Sequence, residues 1–572
     1  RLKNILIVLK SFFLILLILK SSSLEIMKIV IKILVLLLCF SRFLYLDQDV
    51  PSYMISGISQ EDESYYSIGA LLRYYNDVDR TETNYSSYSG DPVCMYSTPL
   101  TYLSFHALGN NYWGLRFVIP LLSLMIILFL FRISYKEIDS NTQKYFLLLL
   151  LLTDFYFFNF SRFQTPQIYS ILAISSALFC YYSIKDDSKK IFIVSFLAIS
   201  SVLFVYVYNI FFVFGVILYF LIYIIQNKSI KLFYIMILGV ISSFVLFLIT
   251  LYFMGFSLID YLEFFINFND KRSAVSVDIH NGFLFFITSA IKNSFSIFYT
   301  NLFRFNSIWL FFLVCGCLFK IKVLYQKGFK STRSDLLYFV MIFAFSQAVF
   351  LNSYPFKKWV VLLPIVYCLG IEFFKSMSQM SSRNLMISSL LTFPIIINSY
   401  RINNSSEYWE GFNYGYYENL SFTISLIPII VTTLFIISNF MIIKPSYKKL
   451  LYSFCIVLNS IILLNVFYIN RKFELRDYLS ELRPLLENQY LIDGFPHSYS
   501  LYTNAIPILN PYSNNYEPSS FLTLDFDKTD KKKYILRKEM RVESEKNIYS
   551  SKFISLETKS LKFYNLKLYE LK

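Results

Sequence analysis

Residues 60–72, QEDESYYSIGALL, open with three consecutive carboxylates, Glu61, Asp62 and Glu63, and continue with aromatics and aliphatics at mixed three- and four-residue spacings. That spacing predicts a helix suited to a membrane surface. Carboxylates in a first helical turn are favoured by the helix dipole, so N-terminal capping alone would account for them. Their position says more. They follow the apolar segment Lys28 to Leu46, which begins MKIVIKILVLLLCF (27–40) and is long enough to cross a hydrocarbon core of ~30 Å as a helix. A carboxylate at that boundary can take a proton from an acceptor hydroxyl or hold a divalent metal.

The rest of the chain supports the membrane reading. Its 572 residues are 56% hydrophobic, 20% aromatic and 16% charged, with a mean hydropathy of +0.51, far from the averages of soluble domains. Apolar runs of about sixteen or more residues recur along most of it, giving roughly thirteen spans. The net charge of +15 does not point to nucleic acid, because the lysines and arginines are spread through short connections between spans. Of seven cysteines only Cys94 lies in a loop, so neither a disulfide framework nor a spaced metal cage is available, and Cys315 and Cys317 read as small apolar packing within a span. Residues 1–26 read as an over-extended start or an extra apolar segment.

Loop charge sets the expected sidedness. The segment 47–112 carries nine carboxylates against Arg73 and Arg80, and is expected outside. Six lysine-bearing connections, 132–144, 185–190, 226–231, 320–333, 375–383 and 444–449, belong in the cytoplasm. The connections between them, including the turn around Arg162, then fall outside. One outer loop breaks the bias: NSYPFKKWVVLLP (352–364) places Lys357 and Lys358 there. A phosphate at the outer leaflet would supply a reason, and a pair snorkelling into anionic headgroups is the alternative. After the last span, Leu451 to Ile469, the sequence turns polar. LRDYLSELRPLL (475–486) has helical spacing, while FLTLDF (521–526) and LKFYNLKLYEL (561–571) alternate as strands do.

Asp62, Glu63, Tyr66 and Ala70 together form D-E-x-x-Y-x-x-x-A, which resembles the first-outer-loop motif of membrane glycosyltransferases with the C-type fold. The relevant branch includes protein O-mannosyltransferases and the aminoarabinose transferase of lipid A. Pro99-Leu100, Gly109 and Arg116 look like that branch's P-P-L…G…R segment, and Ser161-Arg162 resembles its S-R turn. YPFKKWVVLLP (354–364) is similar to its basic segment entering a late span, with Pro364. Two positions depart from the pattern. Ser97-Thr98-Pro99 stands where relatives often carry a basic residue or His and two prolines, and Gln167 stands where a carboxylate is common.

The resemblance implies a polytopic all-α membrane domain of about thirteen helices over 27–470, followed by a small extracytoplasmic α/β domain over 471–572. It implies transfer of a sugar from a polyprenyl-phosphate donor to an envelope acceptor (lipid, glycan or protein) on the outer face, with inversion. Asp62 would be the base and Glu63 its partner in orientation or metal binding, with Asp62 the ligand of a divalent metal such as Mg or Mn and no organic cofactor. Tyr66 and Arg116 would contact substrate, and Arg162, Lys357 and Lys358 would neutralise the departing lipid phosphate. Asp47, Asp49 and Asp154 are candidates for a further acidic residue, Asp154 because it falls within the span 145–160. His106, His280 and His497 read as structural, and Glu372 as a snorkelling partner of Lys375. The heavy use of Lys, Asn, Ile and Tyr suggests an A/T-rich genome and a bacterial inner membrane. A transporter, lipid flippase or glycan polymerase is the competing class, but the internal repeats typical of transporters are missing.

Overall fold

The computed structural model describes residues 24–49, 63, 67, 70, 74, 97–206, 209–253, 258–259, 306, 308–327, 335–351, 360–377, 386–393, 397, 422–440, 445–469, 473–493, 501–509, 532–540, 553–560 and 564–571. The first half holds α1 (Leu24–Phe40), α2 (Ser97–Leu108), α3 (Tyr112–Arg116), α4 (Val118–Glu137), α5 (Asn141–Leu152) and α6 (Phe155–Phe160). It continues with α7 (Pro166–Ser183), α8 (Asp187–Ser200), α9 (Ile210–Gln226) and α10 (Ile230–Phe253). Next come α11 (Ile308–Lys327), α12 (Asp335–Leu351), α13 (Leu363–Ser376), α14 (Phe422–Phe440) and α15 (Pro445–Leu463). Two helices run on into π-helical turns, Ser201–Val205 after α8 and Leu464–Ile469 after α15.

Burial sorts these helices. In α5, every residue from Phe146 to Leu152 is buried, as expected of a helix enclosed by others. Phe146 stacks on Tyr452 at 4.3 Å and on Phe435 at 5.4 Å between ring centroids, so α14 and α15 close around α5 through aromatic faces. In contrast, α10 buries only the line Met236, Gly239, Ser243, Phe247 and Leu251, and leaves Tyr234, Leu238, Ile241 and Val245 exposed. An exposed apolar surface of that extent is stable against lipid, not water. Among the described residues four helical segments, Tyr112–Glu137, Asp187–Val205, Ile230–Phe253 and Tyr447–Tyr468, are long and apolar enough to cross a membrane, and three shorter apolar helices accompany them. The chain is an integral membrane protein.

One glycine sets a helix contact. At Gly215 in α9 an added Cβ would lie 2.6 Å from the Cα of Val340 in α12, too close for any atom. Gly215→Ala is therefore expected to force the two helices apart at a cost of about 1–3 kcal/mol. Thermal unfolding in detergent would show it as a lowered midpoint, and an unchanged midpoint would mean the helices separate freely.

The C-terminal region folds as expected into a small α/β unit. Helix α16 (Glu474–Leu486) buries Leu475, Tyr478, Leu479, Leu482 and Leu486 along one face. Strands β1 (Tyr490–Asp493), β2 (Ile506–Leu509), β3 (Lys533–Met540), β4 (Phe553–Ser560) and β5 (Tyr564–Leu571) form one sheet in the order β2-β1-β3-β5-β4. β1 runs parallel to β2 and β3, whereas β3, β5 and β4 pair antiparallel. The strand expected at 521–526 lies outside the described residues.

Two aspartates join this unit to the end of the first span. Asp49 accepts backbone N–H groups from Leu475 (3.0 Å) and Arg476 (3.3 Å) at the start of α16, and Asp47 pairs with Arg476 at 2.6 Å. Burial raises the Asp49 carboxyl to about 6, against the two amide hydrogen bonds that favour its charge. A carboxyl raised on folding stabilises the folded state below its unfolded value near 3.8, and that contribution is lost as pH climbs through 6. Asp49→Asn should therefore melt higher than wild type at pH 8, by on the order of 2–4 °C, with the gap closing towards pH 4. A variant that melts lower at pH 8 would show that the charged hydrogen bonds outweigh burial.

Candidate active site

The site forms where the end of the first span meets the turn between α6 and α7. Asn111 and Asp154 start the helices on either side of it. Asn111 Oδ1 accepts the Gly114 N–H at 2.9 Å and opens α3, whose last residue is Arg116. Asp154 does not lie inside a continuous span, as the sequence suggested. The helix breaks at Thr153, and Asp154 caps α6 by accepting the Phe157 N–H at 2.7 Å. It also accepts Trp309 Nε1–H at 2.9 Å, tying the start of α11 to α6. Asp154 is thus a buried structural acceptor and not a free acid.

Arg116 and Glu63, 53 residues apart, meet in a fully buried two-pronged pair: Nε to Oε1 at 2.9 Å and Nη2 to Oε2 at 2.5 Å. Arg116 Nη1 donates to the carbonyls of Leu46 (2.5 Å) and Gln48 (2.6 Å), and its plane lies 4.4 Å from the Tyr112 ring and 4.6 Å from that of Phe163. Glu63 Oε1 accepts the Gln164 N–H at 2.8 Å as well. One ion pair therefore gathers the end of the first span, the acidic segment, α3 and the turn before α7. This corrects two expectations. Glu63 is not an open catalytic carboxylate and Arg116 is not free for substrate, since each spends its hydrogen-bonding groups on the other and on the backbone.

Arg162 is equally buried but differently satisfied. Its Nη2 donates to the carbonyls of Leu44 (2.6 Å) and Tyr45 (3.0 Å), and its plane lies against the rings of Phe158, Phe467 and Tyr468 at 5.3, 5.4 and 5.8 Å. Among the described residues, Nε and Nη1 have no hydrogen-bond partner and no carboxylate pairs with it. A buried cation without a counter-charge costs several kcal/mol, a cost an incoming anion would offset. Arg42, also fully buried, donates to Leu38 and Leu152 carbonyls over the Phe157 and Phe158 rings. Sequence reading passed over Arg42, although a charge inside the apolar run 28–46 was a signal in plain view.

The remaining candidates divide clearly. Asp47 and Asp49 are held by α16, so neither is a spare acid at the site. His106 packs between the rings of Tyr102 (4.5 Å) and Tyr74 (5.2 Å). Lys375 pairs with Glu137 at 2.8 Å and with Glu372 at 3.7 Å, well away from the site in a structural cluster. Asp62, Tyr66, Lys357, Lys358, His280 and His497 lie outside the described residues. The buried turn Val360–Leu362, two residues beyond Lys358 in sequence, packs against α7. Among the described residues no three His, Cys, Asp or Glu gather, and the carboxylates nearest the site are engaged.

Residues 98–253, which include α3, the Ser161-Arg162 turn and α7, match the family described as dolichyl-phosphate-mannose-protein mannosyltransferase. No curated protein matches the sequence. Among solved structures, ArnT from Cupriavidus metallidurans bound to undecaprenyl phosphate aligns at a TM-score of 0.54 and 12% identity, over 96% of this chain and 98% of that one. The apo state of the same protein aligns at 0.52 and 11% identity over the same shares. At that identity the likeness is one of fold, and it runs through the bundle and the C-terminal unit alike. The chain thus shares the fold of ArnT, and over residues 98–253 it resembles the mannosyltransferase family.

Proposed function

We propose that the protein transfers a sugar from a polyprenyl-phosphate donor to an envelope acceptor on the extracytoplasmic face of a bacterial inner membrane. The observation that carries this reading is Arg162, a buried guanidinium that has, among the described residues, no counter-charge and two nitrogens without partners. A phosphate is the ligand whose oxygens suit such a group, and the undecaprenyl phosphate bound by ArnT is the kind of lipid that would bring it. Phe467 and Tyr468, which cover Arg162, sit on the π-helical turn 464–469, where a loosened hydrogen-bond ladder lets side chains shift to admit a headgroup.

On this reading Asp62 removes the proton from the acceptor hydroxyl. The acceptor oxygen bonds to the anomeric carbon from the face opposite the phosphate, and the bond from that carbon to the phosphate oxygen breaks. The polyprenyl phosphate leaves with the electron pair and the sugar is inverted. Arg162, with Lys357 and Lys358, stabilises the charge that grows on the leaving oxygen. Glu63 and Arg116 act through the backbone as positioning residues.

Binding of undecaprenyl phosphate and of uncharged undecaprenol to the purified protein tests the reading. The phosphate should bind at least about tenfold tighter, and Arg162→Met should abolish the difference. Equal affinity of wild type for both lipids would remove phosphate recognition from the account.

A further inference from the structure

The start of α7 holds a group of buried polar atoms that the reaction above does not use. Gln167 is fully buried, and among the described residues neither Nε2 nor Oε1 has a hydrogen-bond partner. Thr165, at the N-cap of the same helix, makes no side-chain cap bond, and its Oγ1 is likewise buried without a partner. One turn further along α7, Ser170 Oγ accepts Asn209 Nδ2–H at 3.1 Å, and the Asn209 Oδ1 is again left over. Each unmatched buried group costs about 1–3 kcal/mol, so a run of them along one helical turn marks a place completed by something else.

The turn leading into this helix is fixed at the centre of the site. Gln164 donates its backbone N–H to Glu63, and its side-chain Nε2 reaches Thr101 Oγ1 at 3.2 Å and the Tyr169 hydroxyl at 3.3 Å. Gln167 thus follows Arg162 by five residues on a segment held by the Glu63–Arg116 pair. Five residues of chain span at most about 18 Å, which keeps Gln167 within reach of a lipid-phosphate sugar held at Arg162.

We infer that Gln167 recognises the sugar being transferred, and that this sugar is neutral and hydroxyl-bearing, not a cationic aminosugar; the inference rests on the lipid-phosphate donor reading above. The free amide offers two donors and an acceptor. A phosphate oxygen only accepts and would leave Oε1 unmatched, whereas neighbouring sugar hydroxyls both donate and accept, and so match the amide on both sides. A protonated amino group beside Gln167 would meet the positive end of the α7 dipole, and the Glu63 charge is already taken by Arg116. Thr165 Oγ1 and Asn209 Oδ1 add further neutral partners along the same turn. With the sugar joined directly to the phosphate, Arg162 serves the phosphate and Gln167 the ring.

The test compares three probes on the full-length protein in lipid nanodiscs: undecaprenyl phosphate, an undecaprenyl-phosphate hexose and an undecaprenyl-phosphate 4-amino-pentose. Wild type should bind the hexose lipid at least about tenfold tighter than the bare lipid phosphate, and the amino-pentose lipid no tighter than the bare one. Gln167→Met, close in volume, should bind the bare lipid as wild type does and lose the gain from the hexose. Gln167→Glu should move the preference by about tenfold towards the amino-pentose, a change that loss of folding cannot produce. The inference is overturned if Gln167→Met keeps the hexose gain, or if wild type prefers the amino-pentose lipid. Hexose gain lost together with unchanged binding of bare phosphate fails neither reading, whereas a wild type that binds none of the three lipids removes the donor reading and this inference with it.

Discussion

Asp62→Asn is expected to lower sugar transfer by about 10²–10⁴-fold while leaving the binding of undecaprenyl phosphate unchanged. The asparagine keeps the shape of the side chain and loses the capacity to take a proton. Its neighbour in sequence, Glu63, has its carboxylate locked to Arg116 and to the turn before α7. Donor consumption in proteoliposomes and lipid binding, measured on the same preparation, separate chemistry from recognition. Equal turnover by wild type and variant would remove Asp62 from the role of base.

Glu63→Ala should be nearly as damaging by another route. Removing one partner of a buried ion pair leaves an uncompensated charge and costs about 3–5 kcal/mol. Here it would strand Arg116 and release the Gln164 N–H. Arg116→Met alone should cost a similar amount, and more through the freed Leu46 and Gln48 carbonyls. The double variant should be more stable than the sum of the single losses predicts, because neither charge is then left alone. Thermal unfolding of the four proteins provides the cycle. Strictly additive losses would mean that the pair contributes nothing beyond its separate contacts.

The local features of the fold were legible because they follow short-range rules. The apolar runs gave the bundle, the three- and four-residue spacing of 475–486 gave α16, and the alternation of 561–571 gave β5. The turn around Arg162 was legible from the count of spans and from its likeness to the S-R turn. What escaped depends on contacts across long separations. Nothing near Glu63 in the sequence shows that Arg116 will take both its oxygens, and nothing near Asp47 indicates Arg476, 429 residues away. Asp154 looked like a charge inside a span because the break at Thr153 has neither Gly nor Pro to signal it. Gln167 was noted as a departure from the family pattern, but its unmatched amide becomes visible only when the neighbouring helices are in place.

The measurement that bears most directly on the account is release of polyprenyl phosphate by the reconstituted wild-type protein, supplied with a panel of radiolabelled polyprenyl-phosphate sugars and envelope acceptors. One donor should be consumed, with label appearing in an acceptor and one polyprenyl phosphate released for each sugar moved. Folded protein that binds the lipid phosphate yet releases none from any donor, or moves the intact lipid-linked sugar across the bilayer, would contradict it.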